Sequence, residues 1–296
     1  SYHMFTMFGN NRGSEVLPVQ LDSPVHYPVI SGAAGPGTLN TTAEFREIRI
    51  HKDGKTLWQY KPGKSVFPEQ HVGGEWQAAE NTLRQIDPRG ETTFIKGQSD
   101  WTGYTISMKA RVTGDNGGLM VFFGDNGVRG DLQDYYVWNL NHKDGFCVER
   151  QVGWTRHDLG WPIPGKIEKN RWYSIRVELD GAIIRCFLNG ELIHAVSPRP
   201  VPEVVATASQ DNETGNIIIK LVNTGPNIHP INLRLTGINH DLLEGTAMIL
   251  TSKDKTDENS LDNPLNVAPV ERSVQLSRPD FRYTLDRHSV TVLKLR

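Results

Sequence analysis

Apolar and polar residues alternate along most of this chain. The run "WYSIRVEL" sets Tyr173, Ile175, Val177 and Leu179 against Ser174, Arg176 and Glu178, the period-two pattern of a strand with one buried face. Asp180-Gly181 follows, then "AIIRCFL", Asn189-Gly190 and "ELIHAV". Asp-Gly and Asn-Gly between such runs are strong hairpin signals, because both corner residues take positive φ. Residues 171–196 are therefore expected to form a three-stranded meander, with Asp53-Gly54 joining "FREIRIHK" to "KTLWQY" in the same way. Further strands are predicted at "YTISMKARV", "GLMVFFG", "DYYVWNLN" and "GFCVERQV". Short strands with glycine-rich turns and no helical period between them imply an antiparallel sandwich or jelly roll.

A second β unit is predicted from about Val204 onward, at "VVATASQ", "NIIIKLVN", "INLRLTG", "GTAMILTS", "SVQLS", "FRYTL" and "SVTVLKLR". Within it, "KDKTDENSLDNPLNVAPV" is polar and rich in turn formers, so it reads as a long surface loop. The stretch "SPRPVPE", with prolines at 198, 200 and 202, reads as an interdomain join. The one helical pattern is at the start, where Tyr2, Met4, Phe5, Met7 and Phe8 recur at spacings of three and four until Gly9 ends it. Glu15 to Leu21 then looks extended. About two turns of helix are marginal in water, so this stripe is expected to need a partner, to self-associate or to stay mobile.

At 296 residues the chain has room for two cores. Lys plus Arg total 32 against 34 Asp plus Glu and no basic run occurs, so nucleic acid is not expected as a partner. No apolar run reaches the length of a membrane span, so no membrane partner is expected, and any export signal is expected to lie outside the chain. Cys147 and Cys186 both sit in strand-like runs, which suggests two buried thiols, a single cross-strand disulfide being the alternative. "GQSDW" has Trp101 where a nucleophile elbow needs its last glycine, and neither an HExxH helix nor a phosphate-binding glycine loop occurs.

The stretches "VVATASQDNETGNIIIKLVNTG", "ILTSKDKTDENSLDNPLNVAPV" and "FRYTLDRHSVTVLKL" resemble the C-terminal β domain of retaining alpha-L-arabinofuranosidases, glycoside hydrolases with a (β/α)8 catalytic barrel. "MFGNNRGSEVLPV" is similar to the last barrel helix and first β-domain strand of the same family. The resemblance implies an all-β chain of two sandwich or jelly-roll domains, one inserted into the other, behind a short helix left from the barrel. In that reading residues 1–14 are the helix remnant, 15–30 and 201–296 the C-terminal sandwich, and 31–200 the insertion. The insertion resembles concanavalin-like and laminin-G-like jelly rolls, among them carbohydrate-binding modules and 3-keto-disaccharide hydrolase domains. "GTLNTTAEFREIRI", "WTGYTISMKARVTGDNGGLMVFFG", "DYYVWNL" and "NRWYSIRVELDGAIIRCFLNGELIHAV" carry that likeness.

The family's two catalytic glutamates lie on barrel strands, which this chain does not contain, so the resemblance implies no catalytic residue here. Some concanavalin-like enzymes place E-x-D-x-x-E on one strand; "ELDGAI" has Glu178 and Asp180 but Ile183 in place of the second glutamate. Sugar binding asks instead for aromatic surface flanked by planar polar groups. In "DYYVWNLNHKDGFCVERQVGWTRHDLGWPIPG", Tyr136, Trp138 and Leu140 share the more apolar face and are assigned to the core. Tyr135, Val137, Asn139 and Asn141, with Glu149 and Gln151 on the next strand, are left to line an outward face. Trp154 and Trp161 fall in or beside turns, with Arg156 and His157 near them. The carbohydrate-binding candidates are therefore Tyr135, Asn139, Asn141, Glu149, Trp154, Arg156 and Trp161. The alternative is that both tryptophans pin a loop to the sandwich edge.

No cofactor is expected, with calcium the one candidate. "GDNGVRGDLQD" offers Asp125, Asn126, Asp131 and Asp134 as oxygen ligands, but the spacing is unlike an EF-hand and a plain acidic turn is the preferred reading. The expected role is a non-catalytic accessory region binding plant cell-wall glycan (arabinoxylan, xylan or arabinan) beside a catalytic barrel. A jelly roll that hydrolyses a glycoside itself, or one that only braces the barrel or an oligomer interface, are the rivals. A homo-oligomer and a secreted or periplasmic location follow from the resemblance and its polymeric substrate.

Overall fold

The computed structural model describes residues 2–61, 72–115, 117–237, 243–252, 257–276 and 278–296. The chain divides into two compact units, one made of Ser1–His26 with Pro200–Arg296, the other of Tyr27–Arg199. The predicted all-β class holds. Of the polar loop expected in the second half, residues 253–256 lie outside the described residues.

The discontinuous unit is built on a six-stranded antiparallel sheet in the order Glu15–Leu17, Val204–Gln210, Ile217–Asn223, Ser289–Leu295, Leu243–Leu250, Val270–Leu276. His229–Arg234 pairs with Asp280–Leu285 in a second, two-stranded layer. Ile219, Leu221 and Leu293 from the large sheet share a core with Ile231, Leu233 and Phe281 from the small one. The opposite face of the large sheet takes the helix Tyr2–Asn10: Met7 packs with Ile218 and Val292, and Phe8 lies alongside. The expected apolar stripe is thus split, with Met7 and Phe8 turned to the sheet while Tyr2 and Phe5 stay 76% and 71% exposed. The helix runs one residue past Gly9, and its end is held by side chains. Lys220 Nζ donates to the Phe8 carbonyl (3.1 Å), Asn11 Nδ2 to that of Met7 (2.9 Å) and Arg12 Nε to that of Gly9 (2.8 Å).

The continuous unit is a sandwich of two antiparallel sheets. One runs Glu191–Val196, Ile183–Leu188, Tyr173–Asp180, Thr105–Val112, Ala43–Lys52, Thr82–Gln85, Trp76–Ala79, with Lys55–Gln59 paired to Ala43–Lys52. The other runs Thr155–Asp158, Gly145–Val152, Asp134–His142, Gly118–Asp125, Ala33–Leu39, Glu91–Phe94, Val72–Gly73. Phe45, Ile106 and Ile175 from the first sheet meet Val121, Phe123, Tyr136 and Trp138 from the second in one core. The meander over 171–196 forms as expected. Asn189-Gly190 (φ 52° and 88°) and Asp53-Gly54 (φ 48° and 75°) take the two-corner positive-φ turn. The third hairpin differs: Asp180 pairs with Ile183, so the corners are Gly181 (φ 60°) and Ala182, and only the first is positive. Cys147 and Cys186 are both free and buried, on different sheets, which removes the disulfide alternative.

Candidate functional site

The seven-stranded sheet has a second face, turned away from the sandwich core. Met120, Phe122, Tyr135 and Val137 pack on it with Ala33 and Ile95. Alternation along the strands sets the partners: Tyr135 lies opposite Gln151, Val137 opposite Glu149, and Asn139 opposite both Met120 and Cys147. The inward set, Tyr136, Trp138 and Leu140, is core, as its apolar content predicts.

A polar network fills the rest of this outer face. Arg156, on the edge strand Thr155–Asp158, donates from its NH2 group to Glu91 Oε2 (2.8 Å) and to the Tyr135 hydroxyl (3.1 Å), and from Nε to Gln151 Oε1 (2.9 Å). Its other terminal nitrogen is 4.0 Å from Glu149 Oε2. Asn139 Nδ2 donates to the same Glu149 oxygen at 3.1 Å, and Asn139 Oδ1 accepts from the Asn141 backbone at 2.9 Å. The Tyr135 hydroxyl also donates to Glu91 Oε1 (3.3 Å). Burial pushes the Glu149 pKa up, with Arg156 and Asn139 opposing it. Burial also raises the Tyr135 phenol, and Glu91 adds to the rise. Tyr135, Asn139, Glu149 and Gln151 are buried, whereas the Arg156 and Glu91 side chains keep 26% and 27% of their surface open to solvent. The buried residues therefore hold from behind the two that face outward.

Four predicted residues, Tyr135, Asn139, Glu149 and Arg156, are brought into this one network. Asn141 touches it through its backbone only, and its side chain is exposed. Trp154 and Trp161 lie outside it, before and after the edge strand in sequence, and are 77% and 90% exposed. Trp154 is fixed: its indole N–H donates to Asp131, which leaves the ring face open. Glu91 and Gln151 complete the network. Glu91 leaves no signal in the sequence, because the strand Glu91–Phe94 is too short to show a period.

The calcium candidates of 125–134 are each engaged with partners of their own. The Asp125 carboxylate is gripped by Arg129 at 3.1 and 3.0 Å and accepts the Gly127 backbone N–H at 2.7 Å. Asp134 is bridged by Arg150 at 3.0 and 2.7 Å, Asp131 accepts from Trp154, and Asn126 caps its own loop through Val128 and Leu132. Two of the three carboxylates are thus matched by guanidinium groups and the third by an indole N–H. Among the described residues the groups that gather as an ion's ligands would are His142, Glu149 and Asp158.

Fold and face together define an all-β chain of two sandwich-like units, one of which presents a framed polar and aromatic outer face. The family described as "Alpha-L-arabinofuranosidase C-terminal domain" matches residues 1–289, and the chain belongs to it. No curated protein matches the chain. Solved structures give partial likenesses. An alpha-L-arabinofuranosidase from Thermotoga maritima in an arabinose complex is 19% identical over 38% of this chain and 25% of its own, with a TM-score of 0.31. The GH51 enzyme from Thermotoga petrophila RKU-1 is 19% identical over 42% and 26%, at 0.31. That from Xanthomonas axonopodis pv. citri is 24% identical over 38% and 23%, at 0.30. The matched part of this chain thus spans about a quarter of those enzymes' length.

Proposed function

We propose that this chain is a non-catalytic accessory region of an alpha-L-arabinofuranosidase and that the continuous sandwich, residues 27–199, binds plant cell-wall glycan for it. The observation that carries the reading is the edge strand Thr155–Asp158. It carries Arg156, framed by Glu91, Tyr135 and Gln151, and is flanked in sequence by two highly exposed tryptophans, Trp154 before it and Trp161 after it. An indole whose N–H is already satisfied and whose face is open loses little freedom when it stacks on a sugar ring. Arg156 and Glu91 supply a fixed donor and acceptor for hydroxyl groups. Bound this way, the sandwich raises the local glycan concentration for a catalytic barrel attached to it, an effect that needs no chemistry of its own. A polymeric substrate of this kind would favour a location of the parent enzyme outside the cytoplasm.

Calorimetric titration with arabinoxylan, xylan, arabinan and levan oligosaccharides tests the reading. Saturable binding to one of them is expected, weakened at least tenfold, about 1.4 kcal/mol, by Trp154→Ala. Binding to none would leave the bracing role as the better account of the sandwich.

One observation favours a second reading, hydrolysis by the sandwich itself. Carboxylate oxygens of Glu149 and Asp158 lie within 4.8 Å of each other, close to the roughly 5 Å between the acid and the nucleophile of retaining glycosidases. Turnover of an aryl glycoside or a 3-keto-disaccharide, abolished by Glu149→Gln, would select it.

A further inference from the structure

His142, Glu149 and Asp158 come from three neighbouring strands and meet on the outer face of the seven-stranded sheet. One ligand atom from each lies within 4.8 Å of the others. Asp158 pairs directly with Glu149 across the ladder. His142 reaches the same spot because the register slips between Asn139 and His142, which moves it off the core-facing side that strict alternation would give it.

The charges around this point do not balance. Glu91, Glu149 and Asp158 face the single guanidinium of Arg156, so with all three carboxylates ionised they exceed it by two charges. Glu149 is only 6% exposed, where an uncompensated charge is costly. A divalent ion would restore neutrality. The donor set selects its kind: calcium and magnesium take oxygen ligands throughout, whereas an imidazole with two carboxylates suits zinc and its first-row neighbours. Asn139, bonded to Glu149 Oε2 at 3.1 Å, fixes that ligand from behind, as second-tier groups do in metal sites. Asp158 is exposed, which leaves one side of the position open to solvent.

We propose that His142, Glu149 and Asp158 form a binding site for a divalent first-row transition ion, of the zinc type, with a coordination position left open. The site shares Glu149, and the neighbours Glu91 and Arg156, with the glycan reading, but none of its ligands is Trp154 or Trp161, so metal titration without glycan tests it separately.

The test is titration of the metal-free full chain with Zn2+, and with Co2+ followed by its visible absorption, in the absence of any glycan. Ca2+ and Mg2+ serve as controls. One Zn2+ per chain is expected, with Ca2+ and Mg2+ bound at least a hundredfold more weakly. His142→Ala and Asp158→Asn should each weaken Zn2+ at least tenfold. Neither position is fully buried, so the melting temperature of the metal-free variants should match that of the parent; at one Zn2+ concentration the rise should be larger for the parent than for either variant. Unaltered Zn2+ affinity in both variants would overturn the proposal, since it would place the ion on other histidines. So would a preference for Ca2+, or no saturation below 1 mM.

Discussion

His194 lies in the sandwich core, 4% exposed, with its ring edge toward Trp138 (centroids 6.2 Å apart, planes at 78°) and Cys186 opposite it in register. Neither of its ring nitrogens, nor Trp138 Nε1, makes a well-formed hydrogen bond among the described residues, although the Phe146 backbone lies near enough to act on the imidazole. Burial pushes the imidazole pKa down, and the Phe146 backbone offsets only part of this. The unfolded chain therefore takes up a proton near pH 6.5 that the folded chain refuses. Stability is full above that value and falls as the pH drops through it. In His194→Leu the acid-side loss should vanish, so the variant's advantage over the parent should be larger at pH 5 than at pH 8, by about 1.4 kcal/mol per unit of pKa depression. Urea denaturation at the two pH values measures it; an equal difference at both would mean that the buried imidazole does not titrate below its ordinary range. At this scale the sequence is partly legible. Period-two alternation places Tyr135, Asn139 and Glu149 on the outer face. It misplaces His142, because one slip of register reverses a face and leaves no mark in the residue pattern.

Among the elements, the strand Ala33–Leu39 is the one whose residues argue against it. Gly35-Pro36-Gly37 spells a turn, yet the segment lies inside the sheet between Gly118–Asp125 and Glu91–Phe94. The reason is tertiary. A Cβ at Gly37 would stand 2.4 Å from Phe122 Cε2 and 2.2 Å from the Thr92 carbonyl oxygen, so the missing side chain is the space in which the Phe122 ring lies. Phe122 in turn packs against Tyr135, with centroids 5.6 Å apart, and Tyr135 holds Glu91 and Arg156. Gly37→Ala should therefore cost roughly 1–3 kcal/mol by overpacking and, by shifting Phe122, weaken whatever ligand Arg156 contacts. The useful comparison is Gly54→Ala, where the cost is confined to a positive φ of 75° with open space around it. Denaturation and ligand titration of both variants should show the binding loss at position 37 alone. Contacts of this type are invisible to propensity, which reads glycine as flexibility and has no term for a ring resting on it.

For the whole molecule, the discontinuity of the first unit leads to the strongest prediction about architecture. Its two segments are already stitched together where the second unit departs. Glu15–Leu17 pairs with Val204–Gln210, and Val25–His26 pairs with Val201–Pro202. The Glu203 N–H donates to the Pro24 carbonyl at 2.8 Å, and the Val204 N–H to Ser23 Oγ at 2.9 Å. Residues paired across an antiparallel ladder have Cα atoms about 4.5–5.5 Å apart, so His26 and Val201 stand within reach of a very short link. Each unit also has a core of its own, one around Ile219, Leu221 and Leu293, the other around Phe45, Val121 and Trp138. A chain in which a two-glycine link replaces Tyr27–Arg199 should therefore fold, keep the six-stranded sheet and melt in one transition, because loop closure over so short a link costs little entropy. Residues 27–199 expressed alone should fold as well and carry all of the glycan and Zn2+ binding. Calorimetric melting and titration of the two pieces decide the matter. If the 27–199 piece stays unfolded, the sandwich depends on its host and the bracing role gains; if it folds and binds while the linked remainder does neither, the first unit depends on the sequence threaded through it.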